Sequence, residues 1–148
     1  MKVVIQRVKN ASVKVEGKIV GEIEKGFLVL LGIKVGDTKQ KADYLIKKVC
    51  NLRVFTDEND KMNLSIKDIQ GKLLLISQFT LYADCRKGNR PSFINAARPD
   101  KGEELYNKFI EECQKEGIEV QTGKFGAHME IEFTNDGPTT IIIDSKNT

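Results

Sequence analysis

Two short polar patches hold the residues best suited to chemistry: Ser77-Gln78-Phe79-Thr80-Leu81 and Asn135-Asp136-Gly137-Pro138-Thr139-Thr140. They supply hydroxyls, amides and main-chain groups. Each is fused to an apolar run, Leu73-Leu74-Leu75-Ile76 before the first and Ile141-Ile142-Ile143 after the second. Apolar, β-branched runs bounded by turn residues read as buried strands, and the end of a buried strand is a rigid place to mount donors and acceptors. Main-chain N–H groups after Ile76 can therefore polarise a carbonyl and hold an oxyanion. Pro138 beside a strand is unusual, because proline cannot donate to a sheet ladder. A hairpin turn whose Pro138 opens the last strand accounts for the second patch just as well. Taken singly, Thr80 and Thr140 also read as ordinary strand-face residues.

Other catalytic constellations are missing. His128 is the only histidine. The alternation from Gly126 to Phe133 sets it with Glu130 and Glu132, opposite Met129, Ile131 and Phe133. That reads as a surface or interface histidine, since a general base needs a positioned acceptor and an orienting group. No G-x-S-x-G elbow and no phosphate-cradling glycine pattern occurs. Cys50, Cys85 and Cys113 stand far apart, which argues against a disulfide framework or a zinc site. Cys50 and Cys113 fall in helical patterns as packing residues, and Cys85 lies in a polar loop without an activating neighbour. The acidic turn Asp57-Glu58-Asn59-Asp60-Lys61 lacks the glycine and late glutamate of a calcium loop. No metal and no cofactor is expected.

The elements that must position the patches follow from periodicity. Val3–Val8 reads as a strand, and Ser12–Glu16 turns through Gly17-Lys18 into Ile19–Ile23 as a hairpin. Phe27–Ile33 is apolar throughout, as in a central strand covered on both faces. Asp37 is placed to cap a helix carrying Ala42, Leu45, Ile46, Val49 and Leu52. Arg53–Phe55 is a short strand, and Leu73–Leu81 the next buried one. Residues 82–99 form a long polar loop. Asp100 can start a second helix with Leu105, Phe109, Ile110 and Cys113 on one stripe, ended by Gly117. Ile118–Val120 and Ile141–Ile143 are strands. The order predicts an α+β fold: a curved, barrel-like, mostly antiparallel sheet with two packed helices.

With 148 residues, 40% hydrophobic and 30% charged, the chain suits one domain over 1–148. No stretch of ~18 apolar residues occurs, and the N-terminus lacks the apolar core and cleavage site of a signal peptide. A cytoplasmic protein with no membrane partner is expected. The net charge of +3 is mild, but Arg86, Lys87, Arg90, Arg98 and Lys101 crowd one segment. Such a segment attracts a phosphate backbone or is simply a solvated loop.

Taken together, three motifs resemble the D-aminoacyl-tRNA deacylase family: Ser77–Leu81, then Lys87-Gly88-Asn89-Arg90-Pro91-Ser92-Phe93, then Asn135-Asp136-Gly137-Pro138-x-Thr140. Met1–Val8 with Ala11-Ser12-Val13 is similar to that family's start, and Phe125–Met129 to its approach to the Gly-Pro motif. The resemblance runs from Met1 to about Asp144, with Thr139 standing where a valine-like residue is expected. It implies a homodimer in which each active site takes a Gly-cisPro motif from the partner subunit. The implied reaction is hydrolysis of the ester between a D-amino acid and the terminal ribose of tRNA, with mischarged glycyl-tRNA(Ala) also accepted. Ser77, Gln78, Phe79 and Thr80 would line the catalytic pocket. Gly137 and Pro138, with Asn135 and Thr140, would select chirality by leaving no room for an L side chain. Arg86, Lys87 and Arg90 would meet tRNA phosphates. Two other readings share the same residues: an RNA-binding module without catalysis, stacking bases on Phe79, Tyr82 and Phe93, and a purely structural dimer.

Overall fold

The computed structural model describes residues 1–147. A long strand β1 (Lys2–Val15) is the spine of a six-stranded sheet. It turns through Glu16-Gly17, both at positive φ, into β2 (Lys18–Ile23). Its first half pairs antiparallel with β3 (Gly26–Gly32). Helix α1 (Lys39–Asn51) follows, then a small ribbon of β4 (Phe55–Thr56) and β5 (Met62–Leu64). Strand β6 (Lys72–Ser77) pairs parallel with β3, helix α2 (Pro99–Lys115) crosses over, and β7 (Glu119–Thr122) pairs parallel with β6. The last strand, β8 (Glu130–Asp144), runs antiparallel along the free side of β1.

The continuous apolarity of β3 and β6 is explained by cover on both faces. Leu73, Leu75, Phe27, Val29 and Leu31 point to one cluster, shared with Leu45, Val49, Leu105 and Phe109 of the two helices. Leu28, Leu74 and Ile76 point to the other, inside the curl of the sheet with Val8, Val13 and Ile23. The curl nearly closes into a barrel because β2 meets β7. Gly21 permits that approach, since a Cβ there would fall 2.5 Å from the Thr122 carbonyl oxygen.

Two helix starts differ from expectation. Thr38, not Asp37, caps α1. The Asp37 carboxylate is buried and engaged elsewhere, accepting from the Lys34 amide at 2.6 Å and pairing with the Met1 ammonium at 2.7 Å. Helix α2 begins at Pro99 rather than Asp100; proline suits the first helical position, where an N–H has no partner to lose. Gly117, at φ +85, does stand just past the end of α2. Cys50 and Cys113 are buried, with sulfurs 4.0 Å apart where α1 meets α2. The Cys113 thiol is pushed up by that contact and by burial.

Candidate active site

Strand β6 stops at Ser77 and does not run on to Leu81. Its neighbour β3 ends at Gly32, so after the Gln78 amide has bonded Leu31 O at 2.8 Å no ladder remains. The chain instead winds into a single 3₁₀ turn over Phe79–Tyr82, closed by Leu81 N–H to Gln78 O at 3.3 Å and Ala83 N–H to Thr80 O at 3.0 Å. The first N–H groups of such a turn have no partner within it. Those of Phe79 and Thr80 find no acceptor among the described residues. The Gln78 side-chain amide donates to the Thr80 hydroxyl oxygen.

Ser77, Gln78 and Phe79 line a cleft of about 610 Å³ at the mouth of the inner cluster. Phe79 and Phe93 meet edge-to-face at 5.1 Å on one side. Phe125–Met129 and Ala96–Pro99 also line the cleft. His128 lines this cleft as well. It precedes β8, which begins only at Glu130, so the expected strand face shared with Glu130 and Glu132 does not include it. In the sequence the 96–99 wall showed only Arg98, as one charge of a basic segment, and nothing that placed it at a cleft. Its position follows from tertiary bonds, Val35 N–H to Asn95 O and Ala97 N–H to Ile33 O, each 2.9 Å.

The second patch is not a hairpin. Strand β8 passes straight through it, and the register against β1 jumps from Asn135 opposite Val8 to Thr140 opposite Gln6. Residues 136–139 bulge outward across from Arg7. Asn135 clasps the bulge, its Oδ1 accepting from Thr139 N–H at 2.7 Å and its Nδ2 donating to Thr139 O at 3.1 Å. The Thr140 hydroxyl donates to Gln6 Oε1 at 2.7 Å. Arg7 is only 8% exposed; its Nε donates to Asp136 O at 2.8 Å and its Nη1 to Val54 O at 2.5 Å. Sequence reasoning passed over Arg7, although its alternation with Val3 and Ile5 marks a charge on a buried face. The Gly137-Pro138 bond is cis. Gly137 sits at φ +143, and a Cβ there would meet Thr139 Oγ1 at 2.5 Å and Arg7 Nη2 at 3.1 Å, so glycine is required. Both residues are exposed, and neither lines the cleft of its own chain.

Arg86, Lys87 and Arg90 stand exposed on the loop before α2. Asp84 holds Arg86 through Nε at 2.9 Å and Nη2 at 2.6 Å. Those bonds hold the Asp84 carboxyl well down, to about 2. Lys87 and Arg90 are in no ion pair among the described residues.

The model of the D-Tyr-tRNA(Tyr) deacylase family matches residues 4–144. The chain belongs to that family. It is 57% identical over 146 residues to a D-aminoacyl-tRNA deacylase of Thermosipho africanus, covering 99% of this chain and 98% of the relative. To the enzyme of that name in Clostridium perfringens it is 59% identical, with the same coverage. A solved structure titled c-Myc DNA Unwinding Element Binding Protein superposes with a TM-score of 0.91 at 42% identity, covering 97% of this chain and 98% of that one.

In this member of the deacylase family the groups facing the cleft are few. They belong to Ser77, Gln78, Arg98 and His128, with the free Phe79 amide beside them; Thr80, next in the chain, does not line the cleft. Among the described residues no group of three His, Cys, Asp or Glu side chains is placed to hold a metal, and no helix is long and apolar enough to cross a membrane.

Proposed function

We propose that this chain acts, as one domain, to hydrolyse the ester between a D-amino acid and the terminal ribose of tRNA. Hydrolysis releases the amino acid and free tRNA, and so proofreads chirality in cytoplasmic translation. The observation that carries the reading is the pair of unengaged N–H groups on Phe79, which lines an apolar cleft with Ser77 and Gln78, and on Thr80, the next residue of the same turn. Donors fixed in advance where negative charge develops need no reorganisation during the reaction. An aminoacyl ester is already activated and carries a neighbouring ribose hydroxyl. Water attacks the polarised carbonyl with the substrate's own 2′-OH assisting, and positioning supplies much of the rate. Thr80, held by Gln78, orients and stabilises.

Selection is assigned to Gly137 and Pro138, lent to the cleft by a second copy of the chain. Two features support the homodimer. The dipeptide is exposed and outside its own cleft. Ile142, 65% exposed, shares a sheet face with Val4 and Leu30, the face that further in carries Leu28 and Ile76. With the ammonium held by the main chain of 137–138 and the ester carbonyl held by the Phe79 and Thr80 amides, the side chain of the amino acid has one direction left. An L side chain would run into Gly137-Pro138. Exclusion of this kind discriminates more sharply than a missing methylene contact, worth ~1–3 kcal/mol. Glycine presents nothing to exclude, so glycyl-tRNA(Ala) is also a substrate. Lys87, Arg90 and the free Nη1 of Arg86 meet phosphates near the acceptor end.

The test is purified protein assayed on matched D- and L-aminoacyl-tRNA. Rapid release from the D-ester and from glycyl-tRNA, with the L-ester spared, is the expected result. Equal rates on both hands would overturn selection, and no release from any of them would overturn the activity. A substrate ending in 2′-deoxyadenosine should turn over far more slowly; undiminished turnover removes the hydroxyl from the mechanism.

A further inference from the structure

A second cleft, of about 490 Å³, lies along the outer face of α1 and is lined by Tyr44, Lys47, Lys48, Asn51, Leu52 and Arg53. Tyr44, Lys47, Lys48 and Asn51 fall at i, i+3, i+4 and i+7, one stripe of the helix opposite its buried stripe of Leu45, Ile46 and Val49. Arg53 follows the end of the helix, its Nε fixed on Asn63 O at 3.0 Å. All three cations are exposed, and none is in an ion pair among the described residues. Elsewhere on the same helix Lys41 pairs with Asp37, and Asp43 with Lys108. No carboxylate lines this groove, although the Asp68 carboxylate acts on Arg53 through space. The Lys48 ammonium lies over the Tyr44 ring, 5.7 Å from its centre.

The groove is also mechanically joined to the selecting dipeptide. Val54, next to Arg53, gives its carbonyl to Arg7 Nη1, and the same guanidinium holds Asp136 O through Nε. One buried side chain therefore ties the end of the groove to the segment bearing Gly137-Pro138.

We propose that this groove binds the sugar–phosphate backbone of the tRNA, and that it does so on the subunit that lends the dipeptide rather than on the one that supplies the cleft. The proposal rests on the deacylase reading and on the lent dipeptide. Two unpaired lysines in the last turns of α1 and Arg53 just beyond it suit phosphates, which such residues bind without reading sequence. The same lysines complement the carbonyl end of α1, so a purely structural role must be separated from RNA binding.

The experiment uses the full chain and the triple variant Lys47→Ala, Lys48→Ala, Arg53→Ala. Two substrates are compared: intact D-aminoacyl-tRNA, and a D-aminoacyl-adenosine too short to reach the groove. Binding of uncharged tRNA is followed against salt. For intact tRNA the expected result is a KM at least tenfold higher with kcat unchanged, and a log–log salt slope lower by about 2, at ~0.7–0.9 per phosphate lost. Turnover of the short substrate should not move, which also certifies the fold. Unchanged KM and slope on intact tRNA overturn the proposal while leaving the deacylase reading intact. An equal loss on both substrates overturns it in favour of a structural role. If the unaltered chain hydrolyses neither substrate, the deacylase reading fails first and this one falls with it. A heterodimer sharpens the assignment. The variant is combined with a chain whose dipeptide is disabled by Gly137→Ala, so that the one working site takes its dipeptide from the triple variant. That site should show the raised KM, and a normal KM there would overturn the assignment to the lending subunit.

Discussion

Strands β6 and β8 look alike in the sequence, each an apolar run joined to a polar motif, yet they occupy opposite situations. In β6, Leu73 to Ile76 are all buried because β3 and β7 flank the strand and both sheet faces are covered. In β8, Ile142 is 65% exposed and the strand has one neighbour, β1. Apolar periodicity reports that a face wants cover; it does not say which chain provides it. Strand β6 is satisfied within its own chain. Strand β8 carries a rigid motif outward, on a face that leaves Ile142 exposed and that the proposed second copy would cover.

That contrast predicts different kinds of damage. Truncating Leu75→Ala removes a fully buried side chain from beneath α2, at the residue whose carbonyl accepts from Tyr106 OH at 2.8 Å. We expect a loss of about 3–5 kcal/mol in urea unfolding, the same at every protein concentration. A concentration-dependent loss would mean that β6 too is completed by a partner. The next largest effect is expected from Gly137→Ala. The added methyl meets Thr139 and Arg7 at a φ of +143 that L side chains rarely adopt. Deacylation of D-aminoacyl-tRNA should fall about 100-fold, some 2.7 kcal/mol at the transition state, and the strain should also lower the melting temperature. Activity within a factor of three of normal would detach the dipeptide from the site.

Ile142→Asp addresses the partner directly. On a lone chain the substitution is nearly silent, because the side chain is already mostly in water. In a dimer it buries a charge against apolar surface and should weaken association by about 2 kcal/mol or more, as at an interface hot spot. Sedimentation should then find monomer at concentrations where the parent is dimeric, with activity recovering as concentration rises. A parent that sediments as monomer, or a variant that sediments like it, removes the shared-site reading.

Much of this was legible in the residues, and the gaps have physical causes. The apolar runs placed β3 and β6, and three- and four-residue spacing placed both helices. The point where β6 gives out was not legible: it depends on β3 ending at Gly32, a fact about a neighbour rather than about Ser77–Leu81. Nor was the course of β8 through Gly137-Pro138, since a bulge opposite Arg7 lets a strand carry proline where a regular ladder would not. Asp37 reads as a cap from local rules, but a buried ammonium competes for it and wins. The cleft walls at 96–99 and 125–129 meet only in the folded chain, and only the family resemblance pointed to the second of them.

The two motifs also share a small device with unequal consequences, which gives the finest prediction. Thr80 and Thr140 each have a hydroxyl bonded to a glutamine side chain, Gln78 and Gln6. Thr140 serves the β8 clasp, through Asn135 and Gln6, and its loss should be felt mainly in stability, by about 1 kcal/mol for one hydrogen bond. Thr80 stands beside the two free amides, so its hydroxyl acts where charge develops. If it only orients and stabilises, Thr80→Ala should lower kcat about tenfold, near 1.4 kcal/mol, with KM and the D-over-L preference kept, and Thr80→Ser should restore most of the rate. If it were instead the acyl-accepting nucleophile, removing it would abolish turnover, and the unaltered protein quenched in mid-reaction would carry the amino acid covalently. Mass spectrometry of the quenched protein decides between them. An aminoacyl adduct on Thr80 would move the chemistry from the substrate's ribose to the end of β6 and make the backbone donors its assistants.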